Sequence, residues 1–212
     1  MAITDGDVDC SADCSADCSC GADRLARRVA TDRTRALSHA ATPELHPISN
    51  DDLVADVLTV ARTVAADDWR PDFIIGIGRG GLVPAVYMSH RLAVPMLSID
   101  HSSKVPGFAD ELLRKVAEKS AAGTRLLFVD DINDSGGTIA TIRRLLVESG
   151  CDNANLRFAV VITNTRSRVT VDYWAQTIDR AIDKRWFVFP WEAMATDDRL
   201  VAEALEVPER LG

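Results

Sequence analysis

No apolar run in this chain approaches the roughly 20 residues that a membrane-spanning helix requires, and Met1 is not followed by the charged-then-apolar pattern of a secretory leader. A cytoplasmic location with no membrane partner is therefore expected. Concentrated positive charge is missing too. The 24 Lys and Arg stand against 32 Asp and Glu, a formal charge of −8. Binding a phosphate backbone requires clustered Lys and Arg, so no nucleic-acid partner is expected. Cysteine is scarce outside the first twenty residues, where Cys151 stands alone after Gly150. Nothing near Cys151 marks a nucleophile, and a buried structural thiol is expected. What the chain does have is apolar side chain, 47% of 212 residues, enough to bury the core of one domain preceded by a tail.

The tail is set apart by composition. Asp5, Asp7, Asp9, Asp13, Asp17 and Asp23 precede any basic residue, and Ser-Ala-Asp-Cys occurs at 11–14 and again at 15–18. Acidic and small side chains cannot bury apolar area, so residues 1–47 are expected to be disordered and the folded domain to span 48–212. Cys10, Cys14, Cys18 and Cys20 lack the paired C-x-x-C of common zinc sites. A soft metal is the alternative there, but composition favours an incidental low-complexity tail. Residues 24–40 alternate Arg with Ala and Leu, a weak helix or loose chain.

From Ile48 onward strands alternate with helices. Ser49 and Asp52 form a capping box, and Leu53, Val57, Val60, Ala61 and Val64 recur on one helical face. Asp72 to Ile77 reads as a buried strand that runs into Gly78-Arg79-Gly80-Gly81 and a helix to about His90. Val94 to Ile99 is a short strand, followed by the polar, breaker-rich stretch 101–107 and a charged helix near 109–121. Leu156 to Thr163 reads as another buried strand. Val171 to Trp174 and Trp186 to Glu192 make an aromatic-rich end, and residues 192–206 form a closing amphipathic helix stopped by Pro208. This alternation implies an α/β fold: a central parallel sheet flanked by helices, with ligand loops at the carboxyl ends of the strands.

The chain is organised around residues 125–138. Leu126 to Val129 is a short apolar run between Gly123 and a pair of acids, as in a buried parallel strand. Asp130 and Asp131 close it, a small hydroxyl-rich turn follows, and Thr138 to Leu146 continues at helical spacing to a Gly150 cap. Strand, glycine turn and helix N-terminus make an anion site, because free N–H groups and the helix dipole converge there. The two carboxylates cannot help bind phosphate. They suit hydroxyl donors or a hard cation such as Mg²⁺.

Val129-Asp130-Asp131-Ile132-Asn133-Asp134-Ser135-Gly136-Gly137-Thr138 closely resembles the phosphoribosyl-pyrophosphate (PRPP) signature of the type I phosphoribosyltransferases. Gly78 to Ala85 resembles the pyrophosphate loop of the same family, and Trp186-x-x-x-Pro190-Trp191-Glu192 resembles the base-binding hood of its xanthine-guanine members. The resemblance spans roughly residues 48–192. It implies the type I fold with a small C-terminal hood, and a Mg²⁺-dependent pentosyltransferase, a homodimer, that joins PRPP to a nucleobase of purine type and releases pyrophosphate. By the same resemblance Asp130 and Asp131 hold the ribose hydroxyls and the metal. Asp134 takes the proton from the base, and Ser135, Gly136, Gly137 and Thr138 hold the 5′-phosphate. Arg79, Gly80 and Gly81 meet the pyrophosphate, with a cis peptide at Gly78–Arg79. Trp186 stacks on the base, with Phe187 and Glu192 beside it, while Phe189 packs in the core. Ser102, Ser103 and Lys104 are either contacts of a mobile lid or ordinary loop residues.

One departure stands out. Members that prefer 6-oxopurines carry a Lys after the strand before the hood, and Val161 to Arg168 contains none. Asn164 is the nearest polar substitute for reading the base and Arg166 the nearest charge. Two other readings stay open: a PRPP-binding regulator of the same fold, and a pyrimidine-specific transferase.

Overall fold

Ser49 sets where the first helix begins. Its hydroxyl oxygen accepts from the Asp52 amide at 3.1 Å and its O–H donates to the Asp52 carboxylate at 2.6 Å, so one side chain caps the helix and fixes its first turn. Helix α1, Asn50–Ala66, then buries Leu53, Val57, Val60, Ala61 and Val64, the face its spacing predicts. The computed structural model describes residues 43–100 and 108–205. The tail cysteines, the Ser102 to Lys104 stretch and Pro208 lie outside the described residues.

Five parallel strands form the central sheet. They are β2 (Phe73–Ile77), β3 (Met96–Ile99), β4 (Leu126–Asn133), β5 (Leu156–Asn164) and β6 (Tyr173–Ile178), in the order β3-β2-β4-β5-β6. Helices α2 (Leu82–Leu92), α3 (Phe108–Ala121) and α4 (Gly137–Glu148) make the crossovers. The continuous apolar run of β4 reflects burial on both faces. Leu127 and Val129 join the core with Leu53, Val57, Ala85 and Met88, while Leu126 and Phe128 join the one with Leu113, Val116, Ile139 and Ile142. From β2 the chain steps outward to β3 and then returns across β2 to β4. That reversal opens a crevice at the carboxyl ends of β2 and β4, where open parallel sheets bind ligands.

A second, two-stranded sheet pairs β1 (Leu45–Pro47) in parallel with β7 (Trp186–Val188), Leu45 opposite Trp186 and Pro47 opposite Val188. Glu44 O accepts from the Trp186 amide at 2.7 Å, and the Ile48 amide donates to Val188 O at 2.8 Å. The hood is therefore built partly by residues just upstream of Ile48, where the domain was expected to start. Three residues are too few to show a period in sequence. Of the aromatic-rich end, Tyr173 and Trp174 begin β6, the edge strand of the main sheet, while Trp186 to Val188 form the second strand of the small sheet. Tyr173 is buried and Trp174 exposed, the alternation of a strand covered on one face. The closing helix α5 is shorter than expected, Asp197–Leu205, because Pro190–Glu192 forms a 3₁₀ turn before it.

Candidate active site

The first wall of the crevice is the turn after β2. Gly78 adopts φ 53°, and its N–H donates to Ile99 O at 2.8 Å. The Gly81 N–H closes the turn on Ile77 O at 2.9 Å. All peptide bonds among the described residues are trans, so the expected cis bond at Gly78–Arg79 is absent; a left-handed glycine makes the reversal instead. Gly81 has an ordinary φ of −78°. It is needed for space, because a Cβ there would lie 2.6 Å from Ile77 N and closer still to the Val129 carbonyl oxygen.

The facing wall is the end of β4 and the turn after it. Asp130 is 8% exposed, and its carboxylate accepts from the Asp131 amide at 3.1 Å. Asp131 accepts from the Ile132 amide at 2.7 Å and lies against Gly80. Burial, and then the neighbouring Asp131 charge, push the Asp130 carboxyl well above its ordinary range. Burial chiefly, reinforced by the Glu192 charge, pushes Asp131 up to about 6. Gly136 then turns the chain at φ 85° and caps α4. Gly137 donates to Ser135 Oγ at 3.3 Å, and the next amides of the first helical turn, at Thr138 and Ile139, have no acceptor within the helix by position. An anion in this turn meets those amides and the positive end of α4.

Asp134 joins the two halves of the site. Both its carboxylate oxygens accept from Arg180 Nε, at 3.0 and 3.1 Å, and the Arg180 side chain is only 3% exposed. Asn164, 7% exposed, donates its amide to Asp134 O at 3.1 Å and accepts from the backbone N–H groups of Arg166 and Arg180. The predicted base reader is thus a brace behind Asp134, and Arg166 pairs outward with Asp179.

A cavity of about 760 Å³ is lined by both loops, by Asp130 to Thr138, and by Trp186, Trp191, Glu192, Met194, Arg199 and Glu203. Arg79, Gly80, Asp134 and Trp186, chosen on sequence, therefore meet at one place. Phe187, Asn164 and Gly81 do not line it. Phe187 is buried at 8% in the apolar core, since alternate residues of a strand face opposite ways. Glu192 lines the cavity and also accepts from the Phe189 amide at 2.9 Å, while Phe189 is buried and stacks on Trp191 at 4.7 Å. Sequence reasoning missed Arg180, which sits in a turn of alternating charge that reads as solvated, and Arg199, which reads as the polar face of a helix. Among the described residues five carboxylates and two guanidinium groups line the cavity.

A glycine turn at a helix N-terminus, a buried acid pair and an aromatic ring thus meet at a switch-point crevice, where open parallel α/β sheets bind their ligands. Residues 50–197 match the model of the phosphoribosyl transferase domain, and the chain belongs to that family. It is 29% identical over 121 residues to a xanthine-guanine phosphoribosyltransferase of Nitratidesulfovibrio vulgaris, 57% of this chain and 68% of that one. Its fold matches a purine phosphoribosyltransferase from Pyrococcus horikoshii with TM-score 0.53 at 24% identity, covering 69% of this chain and 92% of that one. It also matches a Neisseria gonorrhoeae protein solved with bound ppGpp, with TM-score 0.58 at 21% identity, covering 78% and 99%. Within the family the chain is most like the purine phosphoribosyltransferases.

Proposed function

We propose that this phosphoribosyltransferase joins the 5-phosphoribosyl group of PRPP to a purine base and releases pyrophosphate, as a cytoplasmic homodimer. The observation that carries the reading is the convergence on one cavity of the Ser135 to Thr138 turn, the Asp130–Asp131 pair, the Gly78–Gly80 loop and the Trp186 ring. Thr138 and its neighbouring amides would hold the 5′-phosphate, and the two aspartates would accept from the ribose hydroxyls. Arg79 and Arg199 would meet the pyrophosphate. Fixing both ends of PRPP turns a bimolecular displacement into one between positioned groups. As the bond from C1 to pyrophosphate breaks, negative charge grows on the leaving group, and the guanidinium groups stabilise it electrostatically.

Mg²⁺ fits the site on charge: carboxylates outnumber guanidinium groups, and burial with like charge nearby raises both Asp130 and Asp131, a concentration of negative charge that a cation would relieve. No cluster of three or more His, Cys, Asp or Glu suited to a metal occurs among the described residues. Asp130 and Asp131 would therefore hold the ion in part, with PRPP oxygens and water completing its shell. When bound, it would neutralise charge on the departing pyrophosphate.

At the other end, Trp186 would stack on the base and Asp134 would accept the proton from its ring nitrogen. No Lys lines the cavity among the described residues, so an exocyclic oxygen would lack the charge-assisted bond that Lys gives. A weak preference for 6-oxopurines follows. The test is a panel of purines and pyrimidines incubated with PRPP and Mg²⁺, read by pyrophosphate release. Release with adenine, guanine, xanthine or hypoxanthine supports the reading. Release confined to pyrimidines would reassign the base, and PRPP binding without release would favour the regulatory alternative. Sedimentation tests the homodimer.

A further inference from the structure

We propose that Arg180 is the positioning residue of this site: one buried guanidinium fixes the Asp134 carboxylate and the strand carrying Trp186 relative to each other. The inference rests on the transferase reading above. Arg180 does not line the cavity, while Asp134 and Trp186 do. Its Nε donates to both Asp134 oxygens, so the carboxylate cannot rotate freely. Its Nη1 donates to Asp183 O at 3.2 Å and to Arg185 O at 2.7 Å, and Arg185 directly precedes Trp186. Its backbone N–H donates to Asn164 Oδ1 at 3.2 Å, and its guanidinium lies 5.1 Å from the centre of the Phe187 ring. Proton acceptor and stacking ring are thus held by the same side chain. A base between them would be offered one orientation.

Sorting the charges around the turn supports this. Arg166 pairs with Asp179 and Arg185 with Asp183. Both pairs are more exposed than the one between Arg180 and Asp134, whose side chains are 3% and 15% exposed. Burying a guanidinium is costly, and a buried ion pair replaced by apolar groups of similar volume often leaves stability unchanged or improved. Nη2 of Arg180 adds to the cost, being buried without a hydrogen-bond partner among the described residues. Clamping the 179–185 turn needs only the two carbonyl bonds of Nη1. Pairing with Asp134 is an additional arrangement, and Asp134 lines the cavity whereas Asp179 and Asp183, the acids of the other two pairs, do not.

Kinetics of Arg180→Met, Asp134→Asn and the double variant test the proposal, with PRPP affinity from calorimetry and folding from circular dichroism. Arg180→Met is expected to lower kcat about 10²-fold, the lower end of what positioned acid–base catalysis contributes, while KM for PRPP holds. Groups acting as a unit are non-additive, so the double variant should be no slower than Asp134→Asn alone. A merely structural Arg180 would instead move both constants, or add its loss to that of Asp134→Asn. Wild-type kcat in Arg180→Met, or additive losses, would overturn the proposal. If Arg180→Met fails to fold, the double variant removes both buried charges and decides by the same comparison with Asp134→Asn. A wild-type protein that releases no pyrophosphate with any base would remove the transferase reading, and this role with it. An active wild type with an indifferent Arg180→Met would remove this role alone.

Discussion

Alanine at Gly80 and alanine at Gly81 should fail in different ways, although the two are adjacent in one loop. At Gly81 the backbone already has helical angles, φ −78° and ψ −12°, so the added methyl brings no dihedral strain. It brings a collision with backbone: 2.6 Å to Ile77 N, 2.8 Å to Ile77 O, and less to Val129 O. These atoms belong to β2 and β4, central strands of the sheet, and no side-chain rotation relieves the contact. Overpacking of this kind costs about 1–3 kcal/mol, and rigid surroundings place it at the upper end. For a chain of this size each kcal/mol lowers the melting temperature by about 2–4 °C, so a fall of roughly 5–10 °C is expected. At Gly80 the three atoms nearest the methyl all belong to the Asp131 carboxylate, 2.5 Å to Oδ2 and 2.7 Å to Cγ. That side-chain end can swing away. The fold survives, but an acid intended for the ligand is displaced, and losing a charged hydrogen bond costs about 1.5–3 kcal/mol, or roughly 10- to 10²-fold in PRPP affinity. Thermal melts and calorimetric titration with PRPP on both variants separate the two outcomes. Gly81→Ala melting with the wild type, or Gly80→Ala melting below it with PRPP affinity intact, would refute the reasoning.

Three further outcomes follow from the same geometry. Asp131, held at about 6, binds its proton more tightly in the folded than in the unfolded chain; its contribution is complete below the unfolded value of about 4 and is lost as pH rises through about 6. The ligand-free protein should therefore melt lower at pH 7.5 than at pH 5, Asp131→Asn should shrink that difference, and an unchanged difference would contradict it. Removing residues 1–42 should leave melting temperature and activity nearly unchanged, whereas removing residues 1–48 takes away β1, the partner of Trp186 to Val188; equal activity in the two truncations would show that the hood does not need its second strand. Trp186→Ala should raise KM for the base while sparing PRPP affinity, because stacking on an aromatic face is lost and the phosphate turn is untouched; a rise in the PRPP constant instead would put Trp186 on the sugar side.

The end of the site proposed to hold phosphate was legible because its chemistry is local. Leu126 to Thr138 makes strand, turn and helix start within fourteen residues, and the groups that face an anion are backbone amides placed by Gly136 and Gly137 themselves. The loop at Gly78 to Gly81 was legible as a glycine turn after a strand, but its peptide bonds are trans and Gly81 is required for space against β2 and β4 rather than lining the cavity. The base end was not. The ring proposed to stack on the base comes from β7, which is held by Leu45 to Pro47 more than 130 residues away in sequence, the proton acceptor proposed for it, Asp134, is paired with Arg180, and Asn164 bonds to both. A parallel pair of three-residue strands leaves no periodic signal, and an Arg in Asp179-Arg180-Ala181-Ile182-Asp183-Lys184-Arg185 looks like any solvated turn until its partner is known. In the proposed function, information about which base is bound is thus spread over side chains from separate segments, whereas phosphoribosyl binding is concentrated in one. Substitutions that retune the base should therefore fall outside the signature, in the 164–168 loop and the 179–185 turn. Those that abolish PRPP binding should fall within it.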